Sequence, residues 1–77
     1  MSKLNLKIFS ERLQFARIMN GNMTQSELAK KCYCSQQKIS QLEKAKIEPD
    51  FDLINKLSDA LGFSVEWLLG LVDFYHK

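Results

Sequence analysis

The sequence has few of the residues on which catalysis depends. Its 77 residues include one histidine, two cysteines, three glycines and one proline. The glycines do not form a phosphate-cradling loop, and no nucleophile motif accompanies the histidine. We therefore expect that the protein is not an enzyme, and that it binds neither a cofactor nor a small-molecule ligand.

The two cysteines, Cys32 and Cys34, are separated by a single residue, which places them badly for a disulfide bond. A zinc site needs about four ligands, and the only other soft candidate is His76, near the end of the chain. We expect two buried, reduced thiols and no metal site.

Long hydrophobic runs are also missing. The longest uncharged apolar run, residues 67–72, is far shorter than the roughly 20 residues of a membrane-spanning helix. Residues 1–7 lack an apolar stretch followed by a small-residue cleavage site. We expect a mature, cytoplasmic chain that makes no contact with a membrane.

The composition is that of one globular domain. Hydrophobic residues make up 45% of the chain and charged residues 26%, well away from the disordered class. The length fits a single small domain, which we assign to residues 1–77, with a core at about 6–70 and a tail at 71–77.

Charge is distributed unevenly along the chain. Residues 1–46 hold nine Lys and Arg against three acidic residues, a net charge of +6, whereas residues 47–77 hold two against six, a net charge of −4. A basic half is typical of a phosphate-binding surface, although a solvated charged face would give the same count.

Capping signals and helical periodicity predict five helices and no strands. Thr24 and Glu27 form a capping-box pattern, Ser35 and Ser64 are N-cap candidates, and Pro49 precedes a helix start. The predicted helices span residues 6 to about 20, 25 to about 32, 36 to 44, about 50 to 61, and 65 to 69. Their predicted inward residues are Phe9, Leu13, Ala16, Leu28, Ala29, Cys32, Ile39, Leu42, Phe51, Ile54, Leu57 and Leu61. In the first helix, Ile8, Phe15 and Ile18 or Met19 are expected to widen the inward stripe. The fold class is all-α.

The second and third helices, joined by a short turn, have the pattern of a helix-turn-helix unit, whose second helix enters the DNA major groove. Apolar or small residues occupy the six contact positions: Leu28, Ala29, Cys32, Cys34, Ile39 and Leu42. Ala29 matters most, because a larger side chain there would push the third helix away from the second. An αα-hairpin of any function could share this pattern.

Two segments, TQSELAKK at 24–31 and SQQKISQLE at 35–43, resemble the lambdoid phage repressor and Cro family, the XRE-type helix-turn-helix proteins. The resemblance continues through LSDALG at 57–62 and SVEWLLG at 64–70, and covers roughly residues 9–70. It implies a compact five-helix domain, similar to lambda repressor, that binds operator DNA as a symmetric dimer and regulates transcription.

The resemblance implies that Gln36, Gln37 and Gln41 read bases. A glutamine amide offers one donor and one acceptor, which can pair with the N6 and N7 edge of adenine. Glutamines are also ordinary residues on helix surfaces, which is the simpler interpretation. We expect Ser40 and Lys38 to touch thymine methyl groups or phosphate beside them.

A second group of residues is expected to bind the DNA phosphates. Thr24 and Gln25 begin the second helix, where free amides and the helix dipole favour a phosphate oxygen. Basic side chains can add charge-assisted contacts. The expected phosphate ligands are Thr24, Gln25, Ser35, Lys38, Lys44 and Lys46, with Lys7 or Arg12 near the first helix as further candidates.

Arg17 and Glu43 match positions that form a largely buried ion pair between the first and third helices in similar repressors. Such a pair would fix the angle of the recognition helix. The alternative is a surface pair that contributes almost nothing to stability.

The sequence departs from the family at two glycines and by one insertion. Tyr33 and Ala45 stand where a left-handed backbone is usual, so each costs on the order of 1 kcal/mol if that conformation is kept. If it is not kept, the turn is rearranged. One extra residue lies within Asn20 to Met23, and we expect this segment to bulge outward without moving Gln25.

The leading hypothesis is a sequence-specific regulator of phage, prophage or plasmid type that binds a palindromic operator as a dimer. A Cro-like protein, an antitoxin, a restriction-modification controller and a truncated repressor remain open. The apolar tail either extends the dimer interface or folds back on the core; its apolar residues are Leu71, Val72, Phe74 and Tyr75. The rival from another class is a protein-interaction module that has lost DNA binding.

Overall fold

The computed structural model describes residues 4–74, so Tyr75 of the apolar tail and His76, the remaining candidate metal ligand, lie outside the described residues. Residues 4–74 form five helices, α1 (Leu6–Met19), α2 (Gln25–Lys31), α3 (Gln36–Glu43), α4 (Phe51–Leu61) and α5 (Val65–Leu68). No strand occurs in the described part. The predicted all-α, five-helix fold is confirmed.

Side-chain caps begin all five helices. In each case an Asn, Thr, Ser or Asp side chain accepts a hydrogen bond from the amide three residues later. Thr24 and Glu27 form the complete capping box, with both reciprocal bonds present. These bonds satisfy amides that a helix leaves without partners. They explain why the predicted helix starts agree with the structure to within one residue.

The five helices share one hydrophobic core, in which α3 packs against both α1 and α2. Phe9, Leu13, Leu28 and Leu42 are fully buried. The prediction for Phe51 is wrong, because this residue is 84% exposed and Leu53 is buried instead. The widened stripe of α1 is wrong as well, since Phe15, Ile18 and Met19 are exposed. At 3.6 residues per turn, Phe51 lies about 100° from the centre of the apolar stripe of α4.

The connection from α1 to α2 bulges outward only in part. Asn20, Gly21 and Asn22 are exposed, as expected, but Met23 is buried against the core. The Met23 carbonyl also accepts a hydrogen bond from Arg17 Nη1 at 2.7 Å. This segment is therefore anchored at its end, immediately before α2 begins.

The two non-glycine residues at glycine positions keep the left-handed conformation. Tyr33 and Ala45 both have φ of 58°. The Cys34 amide donates to the Ala29 carbonyl at 3.0 Å, and the Lys46 amide to the Gln41 carbonyl at 3.0 Å. The turns are not rearranged, so both residues bear the cost of this conformation.

We expect Ala45→Gly to raise the free energy of unfolding by about 1 kcal/mol, because glycine removes the Cβ strain at this position. Urea denaturation would measure the change. Ala16→Gly is the matched control, because Ala16 lies inside α1 and is fully buried. The same substitution there must destabilise the protein. A loss of stability in Ala45→Gly would contradict the strain assigned to this turn.

Both cysteines are free, as the sequence predicts. Cys32 is 1% exposed, whereas Cys34 is only half-buried. Burial raises the pKa of the Cys32 thiol to about 11, so this thiol stays protonated and unreactive at neutral pH.

Within residues 4–74 no group of three or more His, Cys, Asp or Glu side chains could hold a metal ion. In the same range, no helix is long and apolar enough to cross a bilayer.

Candidate DNA interface

Helix α3 has one face in the core and one face toward solvent. Ile39, Leu42 and Glu43 are buried. Gln36 and Gln37 are exposed, and the residues beside them are half-buried; these are Lys38, Ser40 and Gln41. All four predicted base-reading residues therefore lie on the part of α3 that the core leaves uncovered.

Close packing of α2 against α3 sets the position of this surface. Ala29 is 3% exposed and Cys32 1% exposed, which agrees with the small contact residues that the motif requires. Cys34 packs against the same core from the turn. The predicted helix-turn-helix packing is therefore present.

Arg17 and Glu43 form a two-point ion pair that connects α1 to the end of α3. Arg17 Nε donates to Glu43 Oε2 at 2.7 Å, and Arg17 Nη2 donates to Glu43 Oε1 at 3.0 Å. The side chains are 17% and 4% exposed, respectively. A bidentate, mostly buried pair is among the stronger charge-assisted contacts and holds both side chains in one orientation.

Further amide contacts, which sequence reasoning missed, converge on Glu43. Gln14 Nε2 donates to the Glu43 carbonyl at 3.0 Å, and Gln25 Nε2 donates to Glu43 Oε1 at 3.0 Å. Gln25 Oε1 in turn accepts from Gln36 Nε2 at 3.0 Å. The only signal in the sequence was the position of Gln14 one helical turn before Arg17, which is too common a spacing to indicate a contact.

The predicted phosphate ligands differ in exposure and in the hydrogen bonds that they make within the domain. Thr24 and Ser35 are exposed and cap α2 and α3. Gln25 is half-buried between Gln36 and Glu43. Lys44 and Lys46 are exposed in the loop after α3, and Lys38 is half-buried. The Lys44 and Lys46 side chains are therefore accessible to an anionic partner.

The guanidinium of Arg12, a further candidate for a phosphate contact, is engaged within the domain. Its Nη1 atom donates to the carbonyls of Trp67 and Val72, both at 2.7 Å, and its guanidinium lies 4.9 Å from the centre of the Trp67 ring. Its Nη2 atom is 3.5 Å from Asp73. Arg12 therefore fixes the segment that follows α5, and Lys7 is the exposed base that remains near α1.

A helix-turn-helix family model matches residues 13–68, which cover more than half of the chain. The chain therefore belongs to the helix-turn-helix family and is a DNA-binding transcription regulator, similar in fold to the lambdoid repressors.

Among solved structures, the chain is similar to the P22 c2 repressor in complex with a synthetic operator. The identity is 31% over 83% of this chain and 96% of that chain, with a TM-score of 0.77. The chain is also similar to the solution structure of the P22 c2 DNA-binding domain. The identity is 32% over 92% of this chain and 95% of that chain, with a TM-score of 0.73. A hypothetical transcription factor from Neisseria, at 23% identity, covers 90% of this chain and 84% of its own with a TM-score of 0.75, and shows the fold alone.

Proposed function

We propose that this protein is a repressor of phage or prophage type that binds a palindromic operator as a dimer. The observation that carries the proposal is the solvent face of α3, on which the glutamine amides lie. Those amides are assigned to bases and the surrounding polar side chains to phosphates. The base readers are Gln36, Gln37, Ser40 and Gln41, and the phosphate ligands are Thr24, Gln25, Ser35, Lys38, Lys44 and Lys46.

The chemistry of these groups supports groove binding. Exposed amides give the paired donor and acceptor that an adenine edge requires, for roughly 1 to 3 kcal/mol of discrimination per bidentate contact. At the N-terminus of α2 the Thr24 amide donates to the Glu27 carboxylate at 2.8 Å, so the Gln25 amide is the group assigned to a phosphate oxygen. Lys44 and Lys46 add charge without sequence preference, because they contact only the backbone.

The dependence of affinity on salt tests groove binding against a protein-interaction role. If several phosphates are neutralised, log K falls linearly with log[salt], with a slope of about −0.9 for each phosphate contact. We expect a steep slope with duplex DNA, and a shallower slope in a Lys44→Ala, Lys46→Ala double variant. Binding that does not change with salt would contradict the proposal and favour a protein partner.

We assign part of the dimer contact to residues 71–74. Val72 packs on the core, whereas Leu71 is 70% exposed. Arg12 holds the Trp67 and Val72 carbonyls, so the segment is already ordered before association. An ordered apolar segment loses less conformational freedom on binding, and a twofold axis would bring two identical segments together.

The variant Leu71→Glu tests this assignment. We expect it to weaken self-association and operator binding by at least tenfold, because two carboxylates would meet across the axis. Sedimentation equilibrium and DNA titration measure the two effects. Met19→Glu is the matched control, since Met19 is 59% exposed on α1. Equal effects of the two variants on self-association and DNA binding would contradict the assignment of residues 71–74 to the dimer contact.

A further inference from the structure

The base-reading surface is connected through hydrogen bonds to a buried charge on the far side of the recognition helix. Glu43 is 7% exposed and lies on the core side of α3. Its carboxylate bonds to the Gln25 amide, and Gln25 bonds to the Gln36 amide. Glu43, Gln25 and Gln36 are named here the amide relay.

We propose that Glu43 is a specificity-determining residue, because its charge fixes which end of the Gln36 amide faces the base. Glu43 acts through Gln25 and touches no DNA, so its role is that of a positioning residue. The inference rests on the proposed base reading by Gln36.

The Glu43 carboxylate can only accept hydrogen bonds. Gln25 must therefore direct its Nε2 group toward Glu43, where the donor–acceptor distance is 3.0 Å. Reversal of the Gln25 amide would bring its oxygen against a buried negative charge. The ion pair with Arg17 keeps that carboxylate in place. The orientation of the Gln25 amide is therefore fixed by electrostatics.

The orientation of the Gln25 amide in turn fixes that of the Gln36 amide. Because Gln25 directs its nitrogen inward, its Oε1 atom faces Gln36 and accepts from Gln36 Nε2 at 3.0 Å. Gln36 then has one N–H group and its Oε1 atom available to bind a base. A donor beside an acceptor matches N7 and N6 of adenine.

A reversed Gln36 amide would have a different preference. Its oxygen would face Gln25, and both of its N–H groups would be available outward. Guanine presents two acceptors, N7 and O6, on its major-groove edge. The relay therefore decides between adenine and guanine at the base pair that Gln36 reads.

Two substitutions test the relay at different points. In Glu43→Gln the new amide presents its oxygen to Arg17 and its N–H groups to Gln25, which allows Gln25 and then Gln36 to reverse. In Gln25→Met the connection is cut, whereas the ion pair is kept. We expect each variant to lower the ratio of adenine to guanine affinity at the Gln36 position by about tenfold.

The measurement is a competition titration of each purified variant against operator duplexes that differ only in one base pair. The Gln36 position is the base pair at which Gln36→Ala loses preference. Gln14→Met is the matched control, because Gln14 bonds the Glu43 carbonyl but lies outside the relay. It should leave the adenine-to-guanine ratio unchanged.

The outcomes separate the relay from simpler roles. A phosphate contact by Gln25 alone predicts a uniform loss of affinity with the ratio unchanged, and that result in Gln25→Met would overturn the proposal. A tilt of α3 predicts loss of preference at the Gln37 and Gln41 positions as well, which would also overturn it. If Glu43→Gln proves unfolded by circular dichroism, the double variant Arg17→Met, Glu43→Leu replaces it, because it removes the same charge together with its partner. An unchanged adenine-to-guanine ratio in that variant would overturn the role of Glu43. Absence of any sequence preference in the unmodified protein would instead refute the proposed function itself.

Discussion

Replacement of Gln36 and Gln37 by alanine together is expected to abolish sequence preference and to leave weak, nonspecific DNA binding. Each bidentate glutamine–adenine contact contributes roughly 1 to 3 kcal/mol of discrimination, so loss of both corresponds to about 30-fold to 20,000-fold. Phosphate contacts from Lys44 and Lys46 are untouched, and these carry no sequence information. Fluorescence anisotropy with specific and scrambled duplexes measures the two affinities.

The fold should survive this double change. Both residues are exposed, and the Gln36 side chain donates a hydrogen bond to Gln25 at 3.0 Å. Asn55→Ala is a suitable control, because Asn55 is an exposed residue on α4 whose amide donates to the Phe51 carbonyl. Specific binding that persists in the double variant would remove these two glutamines from the base-reading set.

Removal of Arg17 is expected to have the largest effect on stability. In Arg17→Met the Glu43 carboxylate, in a side chain only 4% exposed, loses its countercharge. An uncompensated buried charge costs about 3 to 5 kcal/mol. Domains of this size have a total stability of roughly 4 to 12 kcal/mol. Urea denaturation should therefore show a variant that is unfolded at much lower denaturant concentration.

Two companion variants identify the cause. Lys56→Met breaks an exposed pair with Asp52, whose Nζ–Oδ2 distance is 2.8 Å, and should have a far smaller effect. The double variant Arg17→Met, Glu43→Leu removes both charges and should recover much of the lost stability. A cost for Arg17→Met no greater than that for Lys56→Met would show that the Arg17–Glu43 pair adds little.

The helix boundaries could be predicted from sequence because local chemistry determines them. Thr24, Ser35 and Ser64 each cap a helix within one turn of chain, so no knowledge of the tertiary structure is needed. The left-handed residues Tyr33 and Ala45 were also identified by position, although neither is glycine.

The errors occurred where tertiary packing decides between alternatives of similar local pattern. Phe51 and Leu53 are both apolar residues near the start of α4, and only the position of the helix on the core makes Leu53 the buried one. Met23 is buried in the core and its carbonyl accepts from Arg17, and both contacts depend on how α1 and the following segment pack. Arg12 could not be assigned by sequence, since its partners lie at Trp67 and Val72, more than 50 residues away.

In the candidate site, too, local features could be predicted from the sequence and tertiary contacts could not. The glutamines of α3 could be selected because their spacing leaves them off the apolar stripe, whereas the bonds that orient them could not be predicted. Gln25 meets Glu43 across 18 residues and Gln36 across 11. Such contacts depend on the angle between α2 and α3, which the small side chain of Ala29 permits.

Selection of bound sequences from a random duplex pool, at moderate salt and with untagged protein, tests whether α3 reads DNA sequence. We expect an inverted repeat whose half-sites are centred about one helical turn apart. Adenines in each half-site should lose enrichment when Gln36 and Gln37 are alanine. Recovery of no motif by protein shown to be folded would contradict sequence-specific binding by α3.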